Sequence, residues 1–179
     1  MGVPLFDPAT PTRPLRAELR AAVHSVLDSG AFVLGPEVEA FEREFAAYLG
    51  TGHAVGVANG TEAITIALRA LGVGPGDDVV VPSFTFWASA EAIPPTGARP
   101  VFCDVDDETM LATADTVRAV LTPQTKAVVV PHLFGNVADI AAIEALGVPV
   151  VEDAAQAAGS IGPDGVRPGA MGTIATFSF

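Results

Sequence analysis

A chain of 179 residues is long enough for one α/β domain with a core of its own, and length alone demands no second domain. Half the residues are hydrophobic, only 17% are charged, and mean hydropathy is positive, which is oily for a free-standing monomer. The formal net charge of −12, spread along the chain rather than gathered in runs, argues against nucleic acid and against anionic membranes as partners. A lone Cys103 and an N-terminus without a basic, then apolar, leader point to the cytoplasm. Met1-Gly2 resembles an acylation start, but Phe6 stands where that signal wants Ser or Thr. The oiliest run, 127–134, is too short to span a bilayer and is interrupted by Pro131, so it reads as a buried strand.

In chain order, residues 14–29 carry Leu15, Leu19, Val23, Val26 and Leu27 on one helical face and stop at Gly30. A second helix starts at Pro36, a good first helical residue, points Val38, Phe41, Phe45 and Leu49 inward and stops at Gly50. Residues 53–57 read as a strand, 58–62 as a tight loop, and Ile64, Leu68 and Leu71 as the face of a helix. The alternation continues with strand 79–81, helix 84–93, strand 99–104, helix 114–121 and strand 126–130. Helix 137–146, strand 148–152 and strand 173–177 complete it, with a Gly- and Pro-rich hairpin or loop over 159–172. Short, continuously apolar, β-branched strands alternating with helices predict a largely parallel sheet covered on both faces.

In such a sheet ligands bind beyond the carboxyl ends of the strands. Four of those places carry suggestive residues. Asn59-Gly60-Thr61-Glu62 opens a helix, where free N–H groups favour a phosphate; the same residues also make an ordinary helix cap. Phe84, Phe86 and Trp87 could lie on a flat heterocycle or fill the core. Glu152-Asp153 leaves a buried strand, where a carboxylate either meets a cationic group or caps the next helix. Ser178, at the last strand end, offers a hydroxyl to an anion.

Further stretches accompany these: 35–42 (GPEVEAFE), 59–63 (NGTEA), 74–86 (GPGDDVVVPSFTF), 125–127 (TKA) and 152–157 (EDAAQA). In this order and spacing, over nearly the whole chain, they resemble the DegT/DnrJ/EryC1/StrS family of pyridoxal-phosphate (PLP) dependent nucleotide-sugar aminotransferases. The resemblance implies an α/β large domain of PLP fold type I, a mostly parallel sheet with helices on both faces. Residues 1–179 would be the N-terminal segment and most of that PLP-binding domain, truncated, with the C-terminal small domain absent. It further implies that Gly60, Thr61 and Glu62 form the loop whose amides hold the cofactor phosphate, with Ser178 adding a hydroxyl. Phe86 matches the aromatic that stacks on the ring, Asp153 the partner of the pyridine nitrogen, and Gln156 the side chain near the ring hydroxyl. Trp87 departs from the family, where many relatives carry a smaller residue.

The reaction so implied moves an amino group from glutamate or glutamine to a keto sugar attached to a nucleotide. The full-length protein would be a cytoplasmic homodimer that needs no metal. In relatives the Schiff-base lysine follows the Phe-Ser-Phe element by a few residues, and here the sequence stops at Phe179. No catalytic residue is therefore expected in the chain, and none of the reaction from the chain alone. Lys126, at a strand start, matches a different family lysine; solvated lysines hold a proton and are poor nucleophiles. His132, in 130–135, and His53 are candidates for structural or proton-transfer roles. Two alternatives stay open: a dehydratase-like relative with histidine in place of the lysine, and a non-catalytic PLP-binding or regulatory remnant.

Overall fold

The computed structural model describes residue 2 and residues 5–179. The chain divides into two units, the first ending at Phe45 and the second running Ala46–Phe179. The first contains α1 (Ala9–Thr12), α2 (Arg16–Ser29) and most of α3 (Pro36–Leu49). Gly30 ends α2 in the left-handed conformation and donates its N–H to the Val26 carbonyl, a closure that suits a residue without Cβ. The stripe of α2 forms as its periodicity predicts, yet Leu15, Leu19, Val23 and Leu27 remain about half exposed. In α3 Phe41 is exposed too, its ring stacked on Phe45, rather than turned inward. A helical period aligns apolar residues on one face, but only a neighbouring element can bury that face.

The second unit is built on five parallel strands: β1 (Asp78–Pro82), β2 (Arg99–Cys103), β3 (Thr125–Pro131), β4 (Val150–Asp153) and β5 (Ile174–Thr176). Their spatial order is β2-β1-β3-β4-β5. Helices α4 (Gly60–Ala70), α5 (Trp87–Glu91), α6 (Ala114–Arg118) and α7 (Ile140–Glu144) cover the sheet. Because side chains alternate across a strand, Val79, Val81, Ala127, Val129 and Val151 pack on one face with Ile64, Leu68 and Ala90 of α4 and α5. Val80, Val128, Val130 and Val150 pack on the other with Val117, Ile140 and Ile143 of α6 and α7. Burial on both faces is why these strands read as unbroken apolar runs.

Several predicted boundaries contract. The helix expected over 84–93 becomes α5 followed by a 3₁₀ turn, Pro94–Thr96, and those over 114–121 and 137–146 shrink to α6 and α7. Side chains set the new starts: Thr113 and Thr116 form a capping box on α6, and Asp139 accepts the Ala142 N–H on α7. The strand expected over 53–57 is not formed: it pairs with no strand among the described residues, and Val55 is 78% exposed. A strand needs a ladder partner, which periodicity does not supply. Residues 159–172 form turns rather than a hairpin.

Register aligns the strand ends. Pro82 lies opposite Cys103, Pro131 opposite Asp153, and Asp153 opposite Thr176, so the segments that follow β1, β3, β4 and β5 emerge along one edge. At the opposite edge Asp78 accepts both Nε and Nη2 of Arg99 at 2.8 Å and the Thr122 hydroxyl at 2.7 Å. The Arg99 hydrogen bond, with that of Thr122, holds the Asp78 carboxyl below its ordinary range.

Candidate functional site

One cavity of about 180 Å³ opens at the carboxyl edge of the sheet, where a parallel sheet places its ligands. Gly60, Thr61, Phe86, Asp153, Gln156 and Ser178 all line it, so six of the seven predicted residues converge there from four separate connections. It is smaller than the roughly 300–1,000 Å³ of a typical drug-sized pocket. Phe86 at its rim is 67% exposed, so the aromatic wall is open on one side. A second depression, about 310 Å³, runs along Thr12, Arg16, Leu19, Arg20, Val23 and His24 in the first unit and gathers none of the predicted residues.

The floor is the start of α4. Asn59 is its N-cap, with its side-chain oxygen accepting the Glu62 N–H at 2.9 Å. That bond commits the Glu62 amide to the cap, and Glu62 is not among the residues lining the cavity. The cap and anion-site readings of this loop thus divide between its residues, leaving Gly60 and Thr61 at the cavity. Gly60 is obligatory for packing. A Cβ placed there would stand 2.9 Å from Ser178 Cβ, 3.3 Å from its hydroxyl oxygen and 3.4 Å from the Phe177 carbonyl oxygen. Gly60→Ala is therefore expected to push the end of β5 off α4 and cost about 1–3 kcal/mol, the usual range for overpacking, read as a lowered urea midpoint. An unchanged midpoint would contradict the close approach.

The far wall is the end of β4. Asp153 Oδ2 accepts the Ser89 hydroxyl at 2.7 Å, and Oδ1 accepts the Ala155 N–H at 3.3 Å. The described ion pairs are Arg99 with Asp78, Arg118 with Asp115 and His132 with Glu152, so Asp153 meets no cationic side chain among the described residues. Gln156 Oε1 accepts the N–H of Phe134 at 2.7 Å. Phe134 has a φ of 57°, a left-handed conformation that is uncommon for a residue with Cβ. With its oxygen committed to that strained turn, the Gln156 amide keeps its NH₂ as the group still able to bond elsewhere.

Behind the wall lies a network that sequence reasoning did not find. Glu152 and His132 are both wholly buried, with His132 Nε2 2.9 Å from Glu152 Oε2. His132 Nδ1 accepts the Ala138 N–H, so the ring hydrogen sits on Nε2 and is donated to Glu152. Glu152 also accepts the N–H groups of Gly169, Met171 and Gly172 at 3.0, 3.1 and 2.7 Å. Burial alone would raise its pKa, but the His132 bond and the Gly172 and Gly169 amides outweigh that and hold it below the ordinary range. His132, which lines the cavity, is thus locked in place by two hydrogen bonds, the structural alternative left open by the sequence.

The remaining candidates lie elsewhere. Lys126 is exposed at the amino end of β3, about 17 Å of strand from the cavity residue Pro131. His53 is exposed in the 53–57 segment, which is not a strand. Cys103 is buried, and burial pushes its thiol up to about 11, which rules it out as a nucleophile near neutral pH. Among the described residues no group of three or more His, Cys, Asp or Glu could hold a metal, and no helix is long and apolar enough to cross a membrane.

Known proteins resemble this chain in sequence and fold. The family model described as the DegT/DnrJ/EryC1/StrS aminotransferase family matches residues 14–179. A UDP-N-acetyl-3-dehydro-alpha-D-glucosamine 3-aminotransferase of Acidithiobacillus ferrooxidans is 46% identical over 182 residues, covering 99% of this chain and 49% of its own length. A dTDP-3-amino-3,4,6-trideoxy-alpha-D-glucose transaminase of Streptomyces venezuelae is 47% identical over 181 residues, covering 99% and 48%. Among solved structures, S. venezuelae DesV in complex with a ketimine intermediate superposes with a TM-score of 0.94 at 46% identity, covering 99% of this chain and 48% of that one. The chain therefore spans about half the length of these relatives. Its parallel sheet and flanking helices have the fold type I architecture of PLP-dependent aminotransferases, and its family implies PLP as cofactor. On the fold, the clustered site and these matches, the chain belongs to the DegT/DnrJ/EryC1/StrS aminotransferase family.

Proposed function

We propose that the chain forms most of the cofactor-binding large domain of a PLP-dependent aminotransferase acting on a nucleotide-linked keto sugar. Glutamate or glutamine is the amino donor, and the small domain lies outside residues 1–179. The reading rests above all on Asp153: a carboxylate lining the cavity without a cationic partner among the described residues, opposite a helix start able to bind an anion. PLP is a ligand with those two ends, a protonatable ring nitrogen and a phosphate, and bound there it supplies an electron sink for carbanion chemistry.

The chain's own residues would divide the work. Asp153 accepts a hydrogen bond from the ring nitrogen and keeps positive charge there. The N–H groups of Gly60 and Thr61, aided by the α4 dipole and the Thr61 and Ser178 hydroxyls, grip the phosphate; Glu62 drops out because its amide belongs to the cap. Gln156, its oxygen held by Phe134, donates its amide hydrogens to the ring hydroxyl. Phe86, at the cavity rim, would stack on the ring and shed water from one of its faces. The amine that handles protons is not Lys126, which stands at the wrong edge of the sheet. The half-exposed apolar stripe of α2 fits a homodimer, and a lone reduced cysteine fits the cytoplasm.

The test uses the full-length protein that carries these residues. It should bind PLP with a visible absorption band, exchange that band on addition of glutamate or glutamine, and aminate a keto sugar nucleotide. Tight PLP binding without exchange would favour the binding or regulatory alternative. Absence of PLP binding would end the proposal.

A further inference from the structure

We propose that Ser89, backed by Thr85, is a positioning residue that fixes the Asp153 carboxylate for the cofactor ring nitrogen; this rests on the role given to Asp153 above. Ser89 sits in α5 and is fully buried, with 0% exposure. A buried helical serine ordinarily returns its hydrogen to a carbonyl one turn back. Here the hydroxyl leaves its own segment and donates to Asp153 Oδ2 at 2.7 Å, across 64 positions of sequence. The Thr85 hydroxyl oxygen lies 3.0 Å from that of Ser89. A serine has one hydroxyl hydrogen, and it is spent on Asp153, so Thr85 must be the donor in this second contact. The relay therefore runs one way, Thr85 to Ser89 to Asp153, with each member polarising the next toward the carboxylate.

The fold makes this useful. Asp153 is the last residue of β4, beyond which the chain turns away, and among the described residues its other oxygen is held only by the longer Ala155 contact. Without Ser89 nothing short would set the rotation of the carboxylate. Thr85 lines the same cavity, so the relay starts and finishes on the walls of one site while its middle member is sealed from water. Neighbouring Ala88 and Ala90 are small, which lets α5 lie close to the sheet.

The experiment compares two probes on the full-length protein: PLP, and its carbocyclic analogue with C–H in place of the ring nitrogen. A hydrogen bond to a charged group is worth enough that Ser89→Ala should weaken PLP binding about tenfold. The same variant should change affinity for the analogue less than twofold, because the analogue gives Asp153 no N–H to receive. Thr85→Val should weaken PLP binding by a smaller factor, and should add nothing in the Ser89→Ala background, where the relay is already cut. Equal weakening of both probes, or no weakening of PLP, would overturn the positioning role. Asp153→Ala separates this from the parent reading: if it too fails to distinguish the probes, Asp153 does not face the ring nitrogen at all. If Asp153→Ala distinguishes them and Ser89→Ala does not, only the relay is wrong. Alanine suits a helix, and circular dichroism checks the fold; should Ser89→Ala fail to fold, Ser89→Cys, similar in size but a weak donor, carries the same comparison.

Discussion

Replacing Glu152 by alanine is expected to lower the unfolding free energy by about 3–5 kcal/mol, the cost of breaking a buried pair by removing one partner. Four donors lose their acceptor at once: His132 Nε2 and the N–H groups of Gly169, Met171 and Gly172. None can turn to solvent without moving the 159–172 loop or the end of β3. Total stabilities of about 5–15 kcal/mol make this a large fraction of the whole. Glu152→Gln should fall close to alanine, since one of its two oxygens becomes an NH₂ facing another donor. Urea titration measures both, and a loss below about 1 kcal/mol in each would mean that the loop is not organised by this carboxylate.

The pH dependence has a definite sign. Glu152 is held below its ordinary pKa in the folded state, so between the folded and unfolded values the unfolded chain binds more protons. Its contribution is present in full above the unfolded value, about 4.3, and is lost as pH falls toward the lower folded one. The stability gap between the natural protein and Glu152→Gln should therefore be wide at pH 7 and narrow below about pH 4. A gap that widened on acidification would contradict a depressed Glu152.

The second large effect is on cofactor binding. Asp153→Ala should raise the Kd for PLP at least about thirtyfold, because removing one partner of a desolvated, hydrogen-bonded charge pair costs about 2–5 kcal/mol. Asp153→Asn tests the charge separately from the shape: its side-chain oxygen can still accept from Ser89, but the negative charge is gone. Lys126→Ala, at the opposite edge of the sheet, serves as the control and should leave PLP binding within twofold. If the two Asp153 variants bind PLP as tightly as the natural protein does, the ring nitrogen is met by something else.

Local sequence decided a good deal of this protein. Continuous Val-rich runs bounded by Gly and Pro identify β1, β3 and β4 without reference to any neighbour, and Asn59 before an amphipathic stretch identifies the start of α4. Alternation of such segments then fixes a parallel sheet, and a parallel sheet fixes the edge at which a site forms. That is why six residues named from motifs line one cavity. The resemblance supplied their chemical roles, which spacing alone left divided between caps, core and ligand contacts.

What sequence could not decide depends on partners distant along the chain. In sequence Ser89 is one small residue among the small residues of WASAE; its bond to Asp153 exists only because α5 packs near the end of β4. Glu152 and Asp153 are neighbours with similar side chains, and the alternation of β4 sends one into a closed cage of donors and the other to the cavity. Residues 53–57 have strand periodicity but join no strand ladder among the described residues, so they do not form a strand. Periodicity is a property of the local backbone, readable in order along the chain; hydrogen-bond partners and burial belong to pairs of segments, and only the folded arrangement names the pairs.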